Sequence, residues 1–181
     1  ISKPVSVHPV PVVNFLADNL CALKPAVYVS QSTIVSGSIS LYKWDFNNDG
    51  TDDKIGPSTA SYTCGPAQAY QTKLTCVSDK QCSASAVKNT TVFEQPEAKF
   101  TVTNYCLKDT AIIQNQSTIS NDVISISIWK FGDGIESTFA GNASHLYSTA
   151  GTYSITLVTI TSNNCRDTIS KSMNVFSNPS V

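Results

Sequence analysis

The chain has 181 residues, with 12 basic and 13 acidic side chains and a formal net charge of −1. That balance excludes the strong basic field expected of a protein that holds nucleic acid or an anionic membrane surface. Apolar residues make up 41% of the chain and charged ones only 14%, which suits packed cores and excludes a disordered tail.

The apolar runs are rich in Val, Ile, Thr, Tyr and Phe, residues that fit pleated, half-buried surfaces. No run approaches the roughly 20 apolar residues that span a bilayer, so no direct membrane insertion is expected. No leader peptide is visible, so the chain is expected to be a mature form or a cut piece. Six cysteines with no C-x-x-C pair point to an oxidising compartment and away from a zinc knuckle.

Taken from the first residue, 1-ISKPVSVHPVP-11 resembles 169-ISKSMNVFSNP-179. Residues 1–9 are therefore predicted to be the last strand or linker of a preceding repeat. Next, 11-PVVNFLADNLC-21 is echoed by 96-PEAKFTVTNYC-106. Phe15, Cys21, Trp44 and Phe46 recur as Phe100, Cys106, Trp129 and Phe131, each 85 positions on. Tyr70, Cys82 and Phe93 recur as Tyr153, Cys165 and Phe176, each 83 positions on. Landmarks in one order with one small indel define two repeats, 10–93 and 95–177, followed by a linker at 178–181. Within repeat 2 the strands expected are 99–102, 110–117, 124–131, 152–160 and 167–176, separated by Gly132-Asp133-Gly134, Ala150-Gly151 and Asn163-Asn164. Alternation is clearest in 153-YSITLV-158, where Tyr153, Ile155 and Leu157 share a face. The fold class is all-β: two tandem sandwiches of about seven strands each.

Repeat 2 carries 129-WKFGDG-134 and then 145-HLYSTAGTYSITLVT-159. This pattern resembles the polycystic kidney disease (PKD) domain, an immunoglobulin-like sandwich. Repeat 1 keeps 44-WDF-46 and Tyr70 but has Tyr62 for the histidine and Gln68 for the glycine. The cysteines before strand B and after strand F resemble those of tandem PKD repeats in large secreted and cell-surface proteins of gliding, Bacteroidetes-type bacteria. The resemblance implies a non-catalytic structural or adhesive module, a stalk or adhesin shaft outside the cell. Its partners would be neighbouring repeats of the same polypeptide, a surface polysaccharide or another surface protein. The alternative it implies is a polysaccharide-binding accessory module of a secreted hydrolase.

The stretch 44-WDFNNDGTDD-53 reads two ways. Asp45, Asn47, Asp49, Thr51 and Asp53 place oxygens at alternate positions, with Gly50 at the sixth place, as a calcium loop does. The bidentate glutamate of the twelfth place is missing, because Gly56 stands there. The other reading is a turn after strand C, with Asp and Asn bonding turn backbone. Repeat 2 has Lys130 and Gly132 in the matching places, so its loop is expected to bind nothing.

Pairing Cys21–Cys82, Cys106–Cys165 and Cys64–Cys76 leaves no odd thiol. Sandwich geometry opposes it, because an A–B turn and an F–G turn lie at opposite poles, far beyond the reach of a disulfide. Two alternatives respect the poles: Cys21–Cys64 with Cys76–Cys82, or Cys21–Cys165 across the repeat junction, with Cys82 and Cys106 bonding neighbouring repeats. The junction pairing is preferred, with the hairpin bond Cys76–Cys82 kept beside it.

The sequence contains no nucleophile elbow, H-E-x-x-H pair or phosphate loop. His145 is expected to be a structural hydrogen-bonding residue, and Trp44 and Trp129 to be core. Asp109-Thr110-Ala111 and Asp167-Thr168-Ile169 resemble the Asp-[Ser/Thr]-aliphatic O-glycosylation signal of Bacteroidetes, which makes Thr110 and Thr168 modification candidates.

Overall fold

A computed structural model describes residues 6–18 and 20–178. Most of the expected strand at 1–9 and of the linker at 178–181 lies outside those residues; residues 6–9 are not in a strand. Two compact units are present, Ile1–Phe93 and Glu94–Val181. Among the described residues every regular element is a strand.

In the first unit the strands are β1 (Phe15–Asp18), β2 (Pro25–Ser30), β3 (Ile39–Asp45), β4 (Lys54–Gly56), β5 (Thr59–Thr63), β6 (Ala69–Ser78) and β7 (Ser83–Thr91). They form one sheet in the order β1-β2-β5 and another in the order β4-β3-β6-β7. Period-two alternation decides what is buried. On β2, Ala26 and Tyr28 point inward while Val27 and Val29 face out. On β6, Leu74 and Cys76 point inward. The core holds Phe15, Tyr28, Trp44 and Phe46. Phe15 meets Trp44 edge-on at 5.5 Å, and Phe46 stacks on Tyr62 at 4.3 Å.

In the second unit the strands are β8 (Phe100–Thr101), β9 (Tyr105–Cys106), β10 (Thr110–Asn115), β11 (Ile124–Lys130), β12 (Glu136–Thr138), β13 (Ala143–Leu146), β14 (Gly151–Thr161) and β15 (Arg166–Phe176). The sheets run β13-β10-β8 and β12-β11-β14-β15-β9. Its core repeats the first: Phe100 meets Trp129 edge-on at 5.4 Å, and both are fully buried. Ile155 and Leu157 are buried on the core face of β14 as their spacing predicts, with Tyr153 half-buried in line with them. Gly132 (φ 88°) is required by its neighbour, since a Cβ there would stand 2.7 Å from the Ser154 carbonyl. Each unit is thus an immunoglobulin-like sandwich.

The same register occurs in both units. Pro25 and Ala26 pair with Thr63 and Tyr62 in unit 1; Thr110 and Ala111 pair with Leu146 and His145 in unit 2. The segment that follows the first strand also lies beside the end of each unit in the same way. β9 pairs in parallel with β15 through Tyr105 and Cys106, and a single parallel bridge, Cys21 to Phe93, stands at that place in unit 1.

Candidate functional site

The acidic loop of unit 1 follows β3 directly. Its carboxylates turn onto the loop's own backbone. Asp45, 2% exposed, accepts hydrogen bonds from the amides of Asp49 (3.2 Å) and Gly50 (3.0 Å). Asp53 accepts one from the Phe46 amide at 2.7 Å. Asp49 accepts from the Thr51 amide at 2.8 Å and the Asn47 side chain at 2.9 Å. Those two bonds, led by the Thr51 amide, hold its carboxyl below the usual carboxylate range. Asp52 faces Lys43 at 3.4 Å. Asn48 (φ 54°) and Gly50 (φ 93°) take the left-handed positions that bend the chain.

Among the described residues, no group of three or more His, Cys, Asp or Glu stands where it could hold a metal ion. The carboxylates of Asp45 and Asp49 and one oxygen of Asp53 accept hydrogen bonds from the loop itself, an arrangement that suits a turn. Unit 2 shows why the turn needs them. There the Phe131 amide donates to the Ile135 carbonyl at 3.0 Å. In the longer loop of unit 1, the Asp53 side chain takes over that task for the Phe46 amide.

In unit 2 the matching region is built from rings. His145 stacks on Phe131 at 4.2 Å, its Nε2 lies 2.6 Å from Asp133 Oδ2, and it meets Tyr147 edge-on at 4.6 Å. The buried Tyr147 hydroxyl donates to the Phe131 carbonyl at 2.9 Å. Burial pushes that phenol above its usual range. Burial alone would raise the Asp133 carboxyl too, but the hydrogen bond from His145 and one from the Ile135 amide win and hold it low. His145 is therefore part of the packing, as its sequence context suggested.

The same places in unit 1 carry different side chains. Tyr62 stands for His145 and Cys64 for Tyr147, while Tyr28 stands for Ile113 and Thr72 for Ile155. The Cys64 thiol is buried, and burial raises it above the usual thiol range. Tyr28 is 2% exposed and is pushed up to about 12, chiefly by burial. A cavity of about 110 Å³ remains beside Cys64.

The cysteines divide by chemistry. Cys21 and Cys165 are disulfide-bonded, whereas Cys64, Cys76, Cys82 and Cys106 are thiols. Cys21–Cys82 fails for the reason anticipated. Cys21 bridges Phe93, just after β7, while Cys82 precedes that nine-residue strand, and nine residues of strand span about 30 Å. Two expected bonds are corrected. The hairpin bond Cys76–Cys82 does not form, because Cys76 points into the core opposite Ala84, with Ser32 Oγ at 3.3 Å, while Cys82 sits in the turn. Cys21–Cys64 does not form either, because the Cys64 thiol is directed into the aromatic core. Thr110 and Thr168 are exposed at the surface of β10 and β15.

One feature shared by both units was not read from the sequence. Lys88 lies over the Phe15 ring at 5.2 Å and donates to the Phe15 carbonyl at 2.7 Å. Lys171 does the same to Phe100, at 5.3 and 2.6 Å. The two lysines are 83 positions apart, the same offset as the Tyr70–Tyr153 pair, so the signal was present.

Residues 93–176 match the family model described as PKD domain. The PKD1 domain of the Vibrio cholerae metalloprotease PrtV is 30% identical over 45% of this chain and 98% of that domain, with a TM-score of 0.42. Through this part the chain belongs to the PKD-domain family. The PKD1 domain of Vibrio anguillarum Epp is similar at 23% identity, over 46% of this chain and 96% of that domain, with a TM-score of 0.43. The fibronectin(III)-like modules of Clostridium thermocellum CbhA align at 19% identity over 91% of this chain and 94% of theirs, with a TM-score of 0.49.

Proposed function

We propose that this pair of sandwiches is a non-catalytic structural and adhesive module, a segment of an extended tandem-repeat protein at the bacterial cell surface. What carries the reading is the repetition itself. Two units of one architecture each close a separate aromatic core and rebuild the same Lys–Phe clamp. Such repetition suits a spacer, whose job is to add length with each copy. The short joint 93-FEQPE-97 holds one proline, which limits φ. Exposed Thr110 and Thr168 are the residues we propose for glycosylation in the source organism.

The two disulfide-bonded cysteines extend the proposal. We take Cys21 and Cys165 to be bonded to one another, as the pole argument favours, with Cys82 and Cys106 free for the next repeats on either side. Such a bond closes a loop over both units, so tension on the chain ends passes through the bond and bypasses residues 22–164. Single-molecule stretching checks this. Under oxidising conditions only the segments outside the bond, which include β1 and β15, should lengthen, by far less than a repeat. With reductant it should unfold in two steps, each on the order of 300 Å for a repeat-sized length of chain. Two steps without reductant would sink the covalent joint, and a single merged step with reductant would sink the two-spacer reading.

The alternative partner is a surface polysaccharide. It would lie on the outer face of β14 and β15, where hydroxyls such as those of Thr156 and Ser170 pair at 2.7 Å. Retention of the chain on insoluble polysaccharide would favour this accessory role over a passive shaft.

A further inference from the structure

The geometry points to a preformed socket in unit 1 for a single phenol ring, free or carried by a tyrosine of a partner polypeptide. The two repeats define it by difference. In unit 2 the space beside Phe131, His145 and Tyr153 is filled by the Tyr147 ring, 4.1 Å from Tyr153 and 4.6 Å from His145. In unit 1 the walls persist as Phe46, Tyr62 and Tyr70, but the residue in the place of Tyr147 is Cys64. A thiol replaces a phenol, and the removed ring leaves the cavity of about 110 Å³. Tyr28 brings a ring where its counterpart Ile113 has an aliphatic side chain, yet it does not close the space, because it too is a wall of the cavity.

Four observations favour a ring over other contents. The walls are aromatic on several sides, which suits edge and offset contacts with another ring. They are also held in place: the Tyr70 hydroxyl donates to the Pro66 carbonyl at 3.0 Å and Tyr62 stacks on Phe46. The size is selective. Drug-sized ligands need about 300–1,000 Å³, whereas an apolar cavity of about 150 Å³ takes benzene, so a space of about 110 Å³ open to the surface has room for no more than a single ring. The half-buried Gly65 and exposed Asn47 also line the space, so it reaches the surface. A polar end is available as well. The Phe46 carbonyl accepts from Thr72 Oγ1 at 3.1 Å, which leaves one of its two lone pairs for a phenol hydroxyl. The corresponding Phe131 carbonyl takes the Tyr147 hydroxyl in unit 2. The thiol is buried with its ionisation suppressed, so binding is non-covalent.

The test is an amide-resolved NMR titration of the whole chain with 4-methylphenol, the tyrosine side chain without its backbone. A parallel titration uses acetyl-Gly-Tyr-Gly-amide. Expected are fast-exchange shifts confined to Asn47, Tyr62, Gly65 and their neighbours, with a Kd on the order of 1 mM for so small a ligand. Cys64→Tyr should fill the socket and weaken binding at least about tenfold. Should Cys64→Tyr not fold, Tyr147→Cys serves instead, because it should open the same socket in unit 2 and bring shifts near Phe131 and Tyr153. Binding of 4-methylphenol alone assigns the socket to free phenols, and binding of both ligands assigns it to a presented tyrosine; either supports it. No shift with either ligand, or undiminished shifts in folded Cys64→Tyr, overturns it. The socket does not depend on the shaft reading, and its failure would leave that reading standing.

Discussion

The two units answer one packing problem differently. Each must bury a phenol near the end of the core strands and give its hydroxyl a partner. Unit 2 uses Tyr147 from the end of β13, with its hydroxyl on the Phe131 carbonyl. Unit 1 moves the phenol across to β2 as Tyr28 and surrounds it with hydroxyls. Thr72 donates to the Phe46 carbonyl and lies 3.0 Å from Thr90 Oγ1. Those threonines occupy the places of Ile155 and Met173, so with Tyr28 for Ile113 and Cys64 for Tyr147 four changes compensate one another while the strand pairing stays the same. The lesson is that this fold fixes backbone register and a Trp–Phe pair tightly, and leaves the ring positions around them exchangeable.

The comparison breaks hardest at the invariant part. Trp44→Ala and Trp129→Ala should each cost about 3–5 kcal/mol. Because the cores are separate clusters, calorimetry should show only the mutated unit's transition moving, and a joint shift of both would contradict that separation. Tyr147→Cys copies the unit 1 residue into unit 2 without its compensating partners. It should cost about 2–3 kcal/mol from the lost ring and hydrogen bond, read as a lower denaturant midpoint for unit 2. An unchanged midpoint would mean that unit 2 repacks freely.

Acid sharpens the contrast. Asp133 is held below its ordinary value in the folded chain. Its contribution is therefore present above the unfolded-state pKa and is lost as pH falls through the lower folded value. Unit 2 should lose stability at the acid end of the carboxylate range, and Asp133→Asn should flatten that part of its pH–stability curve. A wild-type curve identical to that of Asp133→Asn would remove the His145–Asp133 contact from the list of stabilisers. The smallest effect expected is that of calcium on unit 1. Titration into chelator-stripped protein should give no heat and no change in melting temperature, since the loop carboxylates already serve amides. Heat that Asp49→Ala abolishes would restore the loop as a cation site.

Much of the fold was legible because it follows from spacing. The 85- and 83-residue offsets link residues that hold matching places in the two units, and alternation located β14 and the core face with Ile155 and Leu157. Three short strands, β9, β12 and β13, were not drawn, because two to four residues show too little alternation to register. The acidic loop was legible as composition only. Whether a carboxylate faces a cation or an amide depends on loop length, which here lets Asp53 reach the Phe46 amide. Cys64 illustrates another limit. Its place in the repeat was readable, but the void beside it depends on how far Tyr28, arriving from the opposite sheet, fills the space.

The parallel contact near the start and end of each unit has a mechanical consequence. In unit 2, Tyr105 and Cys106 lie beside Val175 and Phe176, and the Leu107 amide donates to the Phe176 carbonyl. In unit 1 the Phe93 amide and carbonyl bond Leu20 and Ala22. When the two ends of such a unit are drawn apart, parallel neighbours are loaded in shear. Their hydrogen bonds must yield together rather than unzip one at a time, so once the proposed Cys21–Cys165 bond is reduced each sandwich carries a small clamp where tension enters and leaves it.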